Sequence, residues 1–183
     1  VYMGNKIHVL AIGRDIKERK QMETRLQYIS SHDALTDLFN RVYFEERMQH
    51  LLAKNNLPIG IIVGDVDGLK FINDTLGHIR GDGLLITAAK ILSKSVRYSD
   101  IVARIGGDEF AILLPRCSEI IAKNICSRVI ENVCFHNVNI RELPLSISLG
   151  FAISSSQSKP LAEVFQEADD NMYRQKIAQR GKS

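Results

Sequence analysis

The 183 residues are 45% apolar and 25% charged, enough for one core of ordinary size with some accessory helix outside it. The 24 basic and 21 acidic side chains nearly cancel to a formal +3 with no long run of one sign, which excludes a broad nucleic-acid footprint and leaves any charge-based function local. No apolar run approaches the ~20 residues of a membrane span and no leader pattern opens the chain.

Cys117, Cys126 and Cys134, nine and eight residues apart, match neither a disulfide framework nor a zinc cluster. Reduced, mostly buried thiols of a cytoplasmic domain are expected. The chain opens on "VYMGNK" rather than an initiator Met, as an excised fragment would, so a membrane-anchored parent is compatible with it.

In chain order, "KIHVLAIGRDI" alternates Ile7, Val9 and Ala11 and stops at Gly13, which predicts a strand closing a preceding domain over residues 1–13. Residues 14–30 predict a linker helix, with Met22, Leu26 and Ile29 on one narrow seam suited to a two-helix coiled coil; a solvated connecting helix is the alternative. Ser30 to Arg41 supplies capping residues, and helical spacing resumes through Leu35, Leu38, Val42 and Met48.

Ile59 to Val66 is short and β-branched, a buried strand, followed by a helix from about Leu69 to Leu76. Leu85, Ala88, Ala89, Leu92 and Val96 predict a helix over 82–96. Two strands, 101–105 and 110–114, then flank Gly106-Gly107-Asp108-Glu109 as a hairpin. A helix over 119–133, a strand alternating through Leu145, Ile147, Leu149 and Phe151, and a helix over 161–178 complete the chain. Interspersed strands and helices with an antiparallel pair imply an α+β fold, one sheet layered by helices.

Asp65 and Asp67 end the buried strand, where carboxylates can hold Mg²⁺ or can simply cap the helix starting near Leu69. A hairpin beside that strand would bring Asp108 and Glu109 near Asp65, a concentration of charge that calls for a cation. Asn73 and Asp82, nine apart across a Gly-containing turn with Lys70 and His78 alongside, offer an amide and a carboxylate suited to a purine edge, although each also suits a surface. Lys176 and Arg180 lie four apart on one helix face and could hold phosphates or only complement the helix end.

Together, "DALTDLFNR", "DVDGLKFINDTLGHIRGD", "RYSDIVARIGGDEF", "LSISLGFA" and "ADDNMYRQK" resemble, in order and spacing, the GGDEF domain of bacterial diguanylate cyclases, from residue 31 to 183. Before it, "VLAIGRDIKERKQME" is similar to the last strand and exit helix of a PAS sensor domain. The resemblance implies a palm-like nucleotidyl cyclase sheet flanked by helices, with the GGDEF turn on a β-hairpin. It also implies a dimer that joins two GTP into cyclic di-GMP and releases two pyrophosphates.

By family position, Asp65, the Val66 carbonyl, Asp108 and Glu109 would hold Mg²⁺ or Mn²⁺. Asp108 and Glu109 with Lys70 would serve catalysis, Lys70 by meeting charge on the phosphates. Asn73, His78 and Asp82 would face guanine. Gly106 and Gly107 would take positive φ and admit the nucleotide, and Lys176 and Arg180 would hold phosphates. Arg97 and Asp100 form R-x-x-D and match the inhibitory product site, with Arg128 as a second contact. Gln179 stands where the family commonly has glycine, so Arg180 rests on spacing alone. A non-catalytic receptor for GTP or cyclic di-GMP, and a cyclase making a different dinucleotide, are the competing readings.

Overall fold

The computed structural model describes residues 4–53, 56–139, 143–156 and 158–180. Gly4–Ser31 form one continuous helix, α1. The strand expected over residues 7–13 is therefore helical. Ile7, Leu10 and Ala11 also fit helical spacing, and a strand without a pairing neighbour leaves its backbone groups unmatched, whereas a helix satisfies them internally. Met22, Leu26 and Ile29 remain exposed, each by more than half.

The next helix, α2 (Arg41–Ala53), starts later than its apolar spacing suggests. The Asp33 carboxylate accepts from Thr36 N and Thr36 Oγ1 at 2.9 and 2.6 Å, and Asp37 adopts a left-handed φ of 61°. That turn chemistry outcompetes the helix there. Phe39–Asn40 then form a short strand, β1, and Asn40 Oδ1 caps α2 by accepting from Tyr43 N at 3.0 Å.

Beyond α2 come β2 (Ile59–Val66), α3 (Leu69–Leu76), α4 (His78–Lys94), β3 (Ile101–Arg104), β4 (Glu109–Leu114), α5 (Glu119–Asn139), β5 (Ile147–Ser154) and α6 (Leu161–Arg180). The sheet order is β1-β3-β4-β2-β5. Among the described strands β1 and β3 run parallel and the other pairs are antiparallel.

β2 is buried along its whole length, which is why it reads as a continuous apolar run. On one face of the sheet Ile62, Phe110 and Ile112 pack with Leu85 and Leu92 of α4 and Val129 of α5. On the other, Ile61, Val63 and Leu113 pack with Phe44 of α2 and Val164 and Met172 of α6.

A Cβ at Gly150 would run into the backbone of Ala168 and Met172, so glycine there lets α6 lie directly on β5. That close approach sets where Asp169 and Lys176 emerge. Cys117 is buried, Cys126 half-buried and Cys134 exposed, so the thiols are less uniformly buried than expected. Burial pushes Cys117 up to about 11 and Cys126 up to about 12. No helix among the described residues is long and apolar enough to cross a membrane.

Candidate active site

In the β2–β4 pairing, Asp65 stands directly opposite Glu109 at the last rung. One residue on, Val66 N donates to the Asp108 carbonyl at 3.0 Å, docking the hairpin turn onto the end of β2. Ile105 N and Gly106 N both donate to the Glu109 carbonyl, at 3.0 and 3.3 Å, and close the turn.

A Cβ on Gly106 would come within 2.5 Å of Glu109 Oε2, while the Cβ position of Gly107 faces open space. The left-handed backbone expected at these two glycines is found instead at Gly68 and Gly77, which bracket α3. At Gly106 a Cβ would displace the movable end of the Glu109 side chain, and Gly107 leaves the crest of the turn uncovered.

The electrostatics of this corner are unbalanced. Asp65 is only 8% exposed. Burial, and then the like charges of Asp108 and Asp67, raise its pKa above the ordinary carboxylate value despite the opposing Lys176 ammonium. Glu109 is raised by burial and by Asp108, Asp169 and Asp65, against Arg41. Lys176 reaches from α6 to place Nζ 2.5 Å from Asp65 Oδ1. The residue expected to hold phosphate is thus engaged with the leading candidate for a metal ligand.

Among the described residues no three acidic, His or Cys side chains already form a metal cage. The donors are nonetheless all hard oxygens, and their ionised forms repel one another. That chemistry fits a divalent cation such as Mg²⁺.

Asp67 has a different task. Its two oxygens accept from Ser146 Oγ at 2.7 Å and Ser148 Oγ at 2.9 Å, tying the end of β2 to β5. Neither aspartate caps α3, whose N-cap is Gly68 with no side-chain cap bond.

Lys70 is exposed in the first turn of α3. Asn73 is half-buried against Gly81 of α4, where a Cβ would collide with its Oδ1. Asn73 Oδ1 is buried without a hydrogen-bond partner; leaving an acceptor so costs about 1–3 kcal/mol. His78 and Asp82 are exposed along α4. The Arg180 side chain lies outside the described residues.

Away from this corner, Asp100 Oδ2 accepts from Arg97 N at 2.9 Å and Asp100 N donates to Arg97 O at 3.0 Å, which closes R-x-x-D as a turn with the Arg97 side chain exposed. Arg128 lines a cavity of about 300 Å³ with Arg97. Its guanidinium is already committed, with Nε and Nη2 donating to Ser95 O at 2.9 and 2.5 Å beyond the end of α4. The expected neighbourhood of Arg97 and Arg128 is present, but Arg128 is occupied by the fold.

Four residues near the site escaped the sequence reading: Asp33, Arg41, Arg104 and Asp169. Arg41 and Asp169 both act on Glu109 electrostatically, and Arg104 bonds Asp33 and the GGDEF turn. All lie inside the quoted sequence blocks, but nothing local marks them, because their partners are distant in sequence.

The fold and site define a class of domain, a mixed α+β sheet with an acidic hairpin docked beside a strand-end aspartate, and comparison with known proteins narrows it. The family model described as "Diguanylate cyclase, GGDEF domain" matches residues 30–182, and the chain belongs to that family. It is 36% identical over 179 residues to diguanylate cyclase DgcM of Escherichia coli (strain K12), covering 94% of this chain and 42% of that protein. It is 35% identical to the probable diguanylate cyclase DgcE of the same organism, over 98% of this chain but 17% of the relative. The chain therefore spans less than half the length of these relatives.

Among solved structures, the isolated GGDEF domain of TpbB from Pseudomonas aeruginosa is 34% identical with a TM-score of 0.69, over 80% of this chain and 89% of that one. The coiled coil and GGDEF domain of DgcB from Caulobacter crescentus, in complex with c-di-GMP, gives a TM-score of 0.87 at 22% identity over 96% of both chains, a likeness of fold.

Proposed function

We propose that this chain is the catalytic domain of a diguanylate cyclase, condensing two GTP into cyclic di-GMP and two pyrophosphates by attack of a ribose 3′-hydroxyl on an α-phosphate. The observation that carries this reading is the placement of Asp65 opposite Glu109, with Asp108 docked on Val66, in a corner whose negative charge is under-neutralised. The relatives named as diguanylate cyclases support it. A pure receptor has no need of that carboxylate set.

Asp65, the Val66 carbonyl, Asp108 and Glu109 would hold Mg²⁺ or Mn²⁺, which supplies charge neutralisation at the phosphates. Lys70 meets developing phosphate charge from the foot of α3. Asn73, His78 and Asp82 face guanine, the Asn73 amide turning from Gly81, where its Oδ1 is buried without a partner, to meet it. Asp82 accepts from the guanine N1–H and N2–H; adenine would leave that carboxylate unpaired at a cost of about 1–3 kcal/mol or more. Gly106 and Gly107 keep the turn free of side chains, and Lys176, which holds Asp65 here, would serve phosphate together with Arg180, four residues on in sequence.

Each domain holds one GTP, so two must face each other. The exposed seam of Met22, Leu26 and Ile29 on α1 suits pairing with a second copy, and an upstream PAS sensor would set the pairing. Arg97 and Asp100 would bind product and slow turnover, with Arg128, whose Nε and Nη2 hold the Ser95 carbonyl, lining the cavity beside Arg97. The test is GTP with Mg²⁺ at protein concentrations that dimerise the chain, or on a forced dimer, with cyclic di-GMP and pyrophosphate measured. Formation of both is expected; absence of both from the forced dimer overturns the reading. Mixed ATP and GTP should yield the guanine product alone.

A further inference from the structure

We propose that Arg104 is a positioning residue that ties the crest of the GGDEF turn to the foot of α1, so that the stance of that helix sets where Asp108 and Glu109 stand. Its kinetic arm rests on the cyclase reading; its structural arm does not.

The tie is continuous. Near the last turn of α1, the Ser30 carbonyl accepts from Asn40 Nδ2 at 2.8 Å. Two residues beyond the helix end, Asp33 is fixed by its bonds from Thr36 N and Thr36 Oγ1. Arg104, 71 residues on in sequence, places Nη1 at 3.1 and 3.3 Å from the two Asp33 oxygens. The same guanidinium extends Nη2 to the Gly107 carbonyl at 2.8 Å. Arg104 also ends β3 in register with Asn40, so the α1 foot reaches the same rung by backbone pairing as well.

The guanidinium has little room to yield. The Arg104 and Asp33 side chains are 14% and 25% exposed, so the pair is poorly screened. Arg104 Nε is buried without a partner, leaving the two Nη contacts to hold the group. The planar fork is rigid, so a shift at one end is passed to the other. At the far end the Gly107 Cβ position faces open space, so packing does not hold the crest in place. Asp108 and Glu109 follow at once. Misplacement of such groups by about 1 Å costs on the order of 10²-fold in rate.

The experiment compares the parent with Arg104→Lys, Arg104→Ala, Asp33→Asn and the double variant Asp33→Asn/Arg104→Lys on a forced dimer. Three readouts are followed: melting temperature, amide exchange of the 105–109 turn against α5, and kcat and KM for cyclic di-GMP formation. Lys keeps the charge but cannot span both contacts, so it tests the tie even if Arg104→Ala fails to fold.

The expected result is a folded Arg104→Lys protein with faster exchange in the turn but not in α5. Its kcat should be lowered about 10- to 100-fold, with KM for GTP within about twofold. Asp33→Asn should shift in the same direction, and the double variant should be no worse than the worse single. Parental turn exchange in Arg104→Lys, fully additive losses, or a lowered melting temperature with unchanged kcat would each overturn the proposal. If the parent itself makes no cyclic di-GMP, the cyclase reading fails while the exchange data still decide whether the tie exists.

Discussion

Asp33 is a half-buried and Asp65 a buried aspartate, each paired with a cation from a distant element, and their environments drive them in opposite directions. At Asp33 burial favours the neutral form, but two bonds from Thr36 and the Arg104 fork overcome it and hold the carboxyl below its ordinary pKa. At Asp65 burial acts with Asp108 and Asp67, and one ammonium from Lys176 does not offset them, so the carboxyl is held above it. The first carboxylate has all the partners it needs, as a structural joint should. The second sits in a corner that lacks positive charge, as a binding site for a cation should.

The sharpest way to break this comparison is to remove the charge at each place and compare activity with stability. Asp65→Asn should lower cyclic di-GMP formation by at least about 10²–10³-fold. Its melting temperature should stay within a few degrees of the parent, because the buried charge it removes was under-compensated. An initial-rate assay beside a thermal melt reads both. Large unfolding would make Asp65 a joint after all, and full activity would remove it from the site.

Asp33→Asn should weigh on both readouts: beside the lowered kcat expected from loosening the Arg104 tie, it should lose about 1–3 kcal/mol of stability from the charged hydrogen bonds, or roughly 2–4 °C per kcal/mol for a chain of this size. The pH dependence follows from the sign of the shift. The folded pKa lies below the ordinary 3.8, so the ionised Asp33 stabilises fully above that value, and its contribution is lost as pH falls through the folded value. Urea titrations from pH 7 downward should show a constant gap between parent and variant that closes only in the acid range. A gap that closes near pH 6 would mean that another group carries it.

The same contrast explains what could be read from the sequence. β2, α3 and the hairpin were legible because β-branched runs, helical spacing and Gly-rich turns are local signals, and the convergence of Asp65 with Asp108 and Glu109 followed once β4 was placed beside β2. The division between Asp65 and Asp67 was only half visible, since the serines that occupy Asp67 lie 79 and 81 residues away.

Asp33 with Arg104, and Lys176 with Asp65, were invisible for the same reason: each side chain alone passes for a cap or a solvated helix end, and only the folded chain joins them across 71 and 111 residues. The first half of α1 was misread because alternating and helical spacing coincide over so short an apolar stretch. The late start of α2 was missed because Asp33 and Asn40 compete with helical propensity through their own hydrogen bonds.

The smallest effect is the most discriminating, because it has the unusual sign. Asp108 contributes like-charge repulsion to both Asp65 and Glu109, so Asp108→Asn should stabilise the cation-free domain while it impairs turnover. Asp108 is partly exposed, which limits the gain to at most about 1 kcal/mol, or roughly 2–4 °C. Raised carboxylates cost stability while ionised, so this gain should be present at neutral pH and fade as pH falls through the raised pKa values and both groups take up protons. Added Mg²⁺ should reverse the ranking: it stabilises whichever protein binds it, in proportion to RT ln(1 + [Mg²⁺]/Kd), and the parent keeps the fuller set of ligands. A melting series with and without Mg²⁺ measures both terms. If Asp108→Asn melts lower than the parent without Mg²⁺, or gains as much from the ion, the corner is not under-neutralised, and Asp65 and Asp33 differ in surroundings but not in kind.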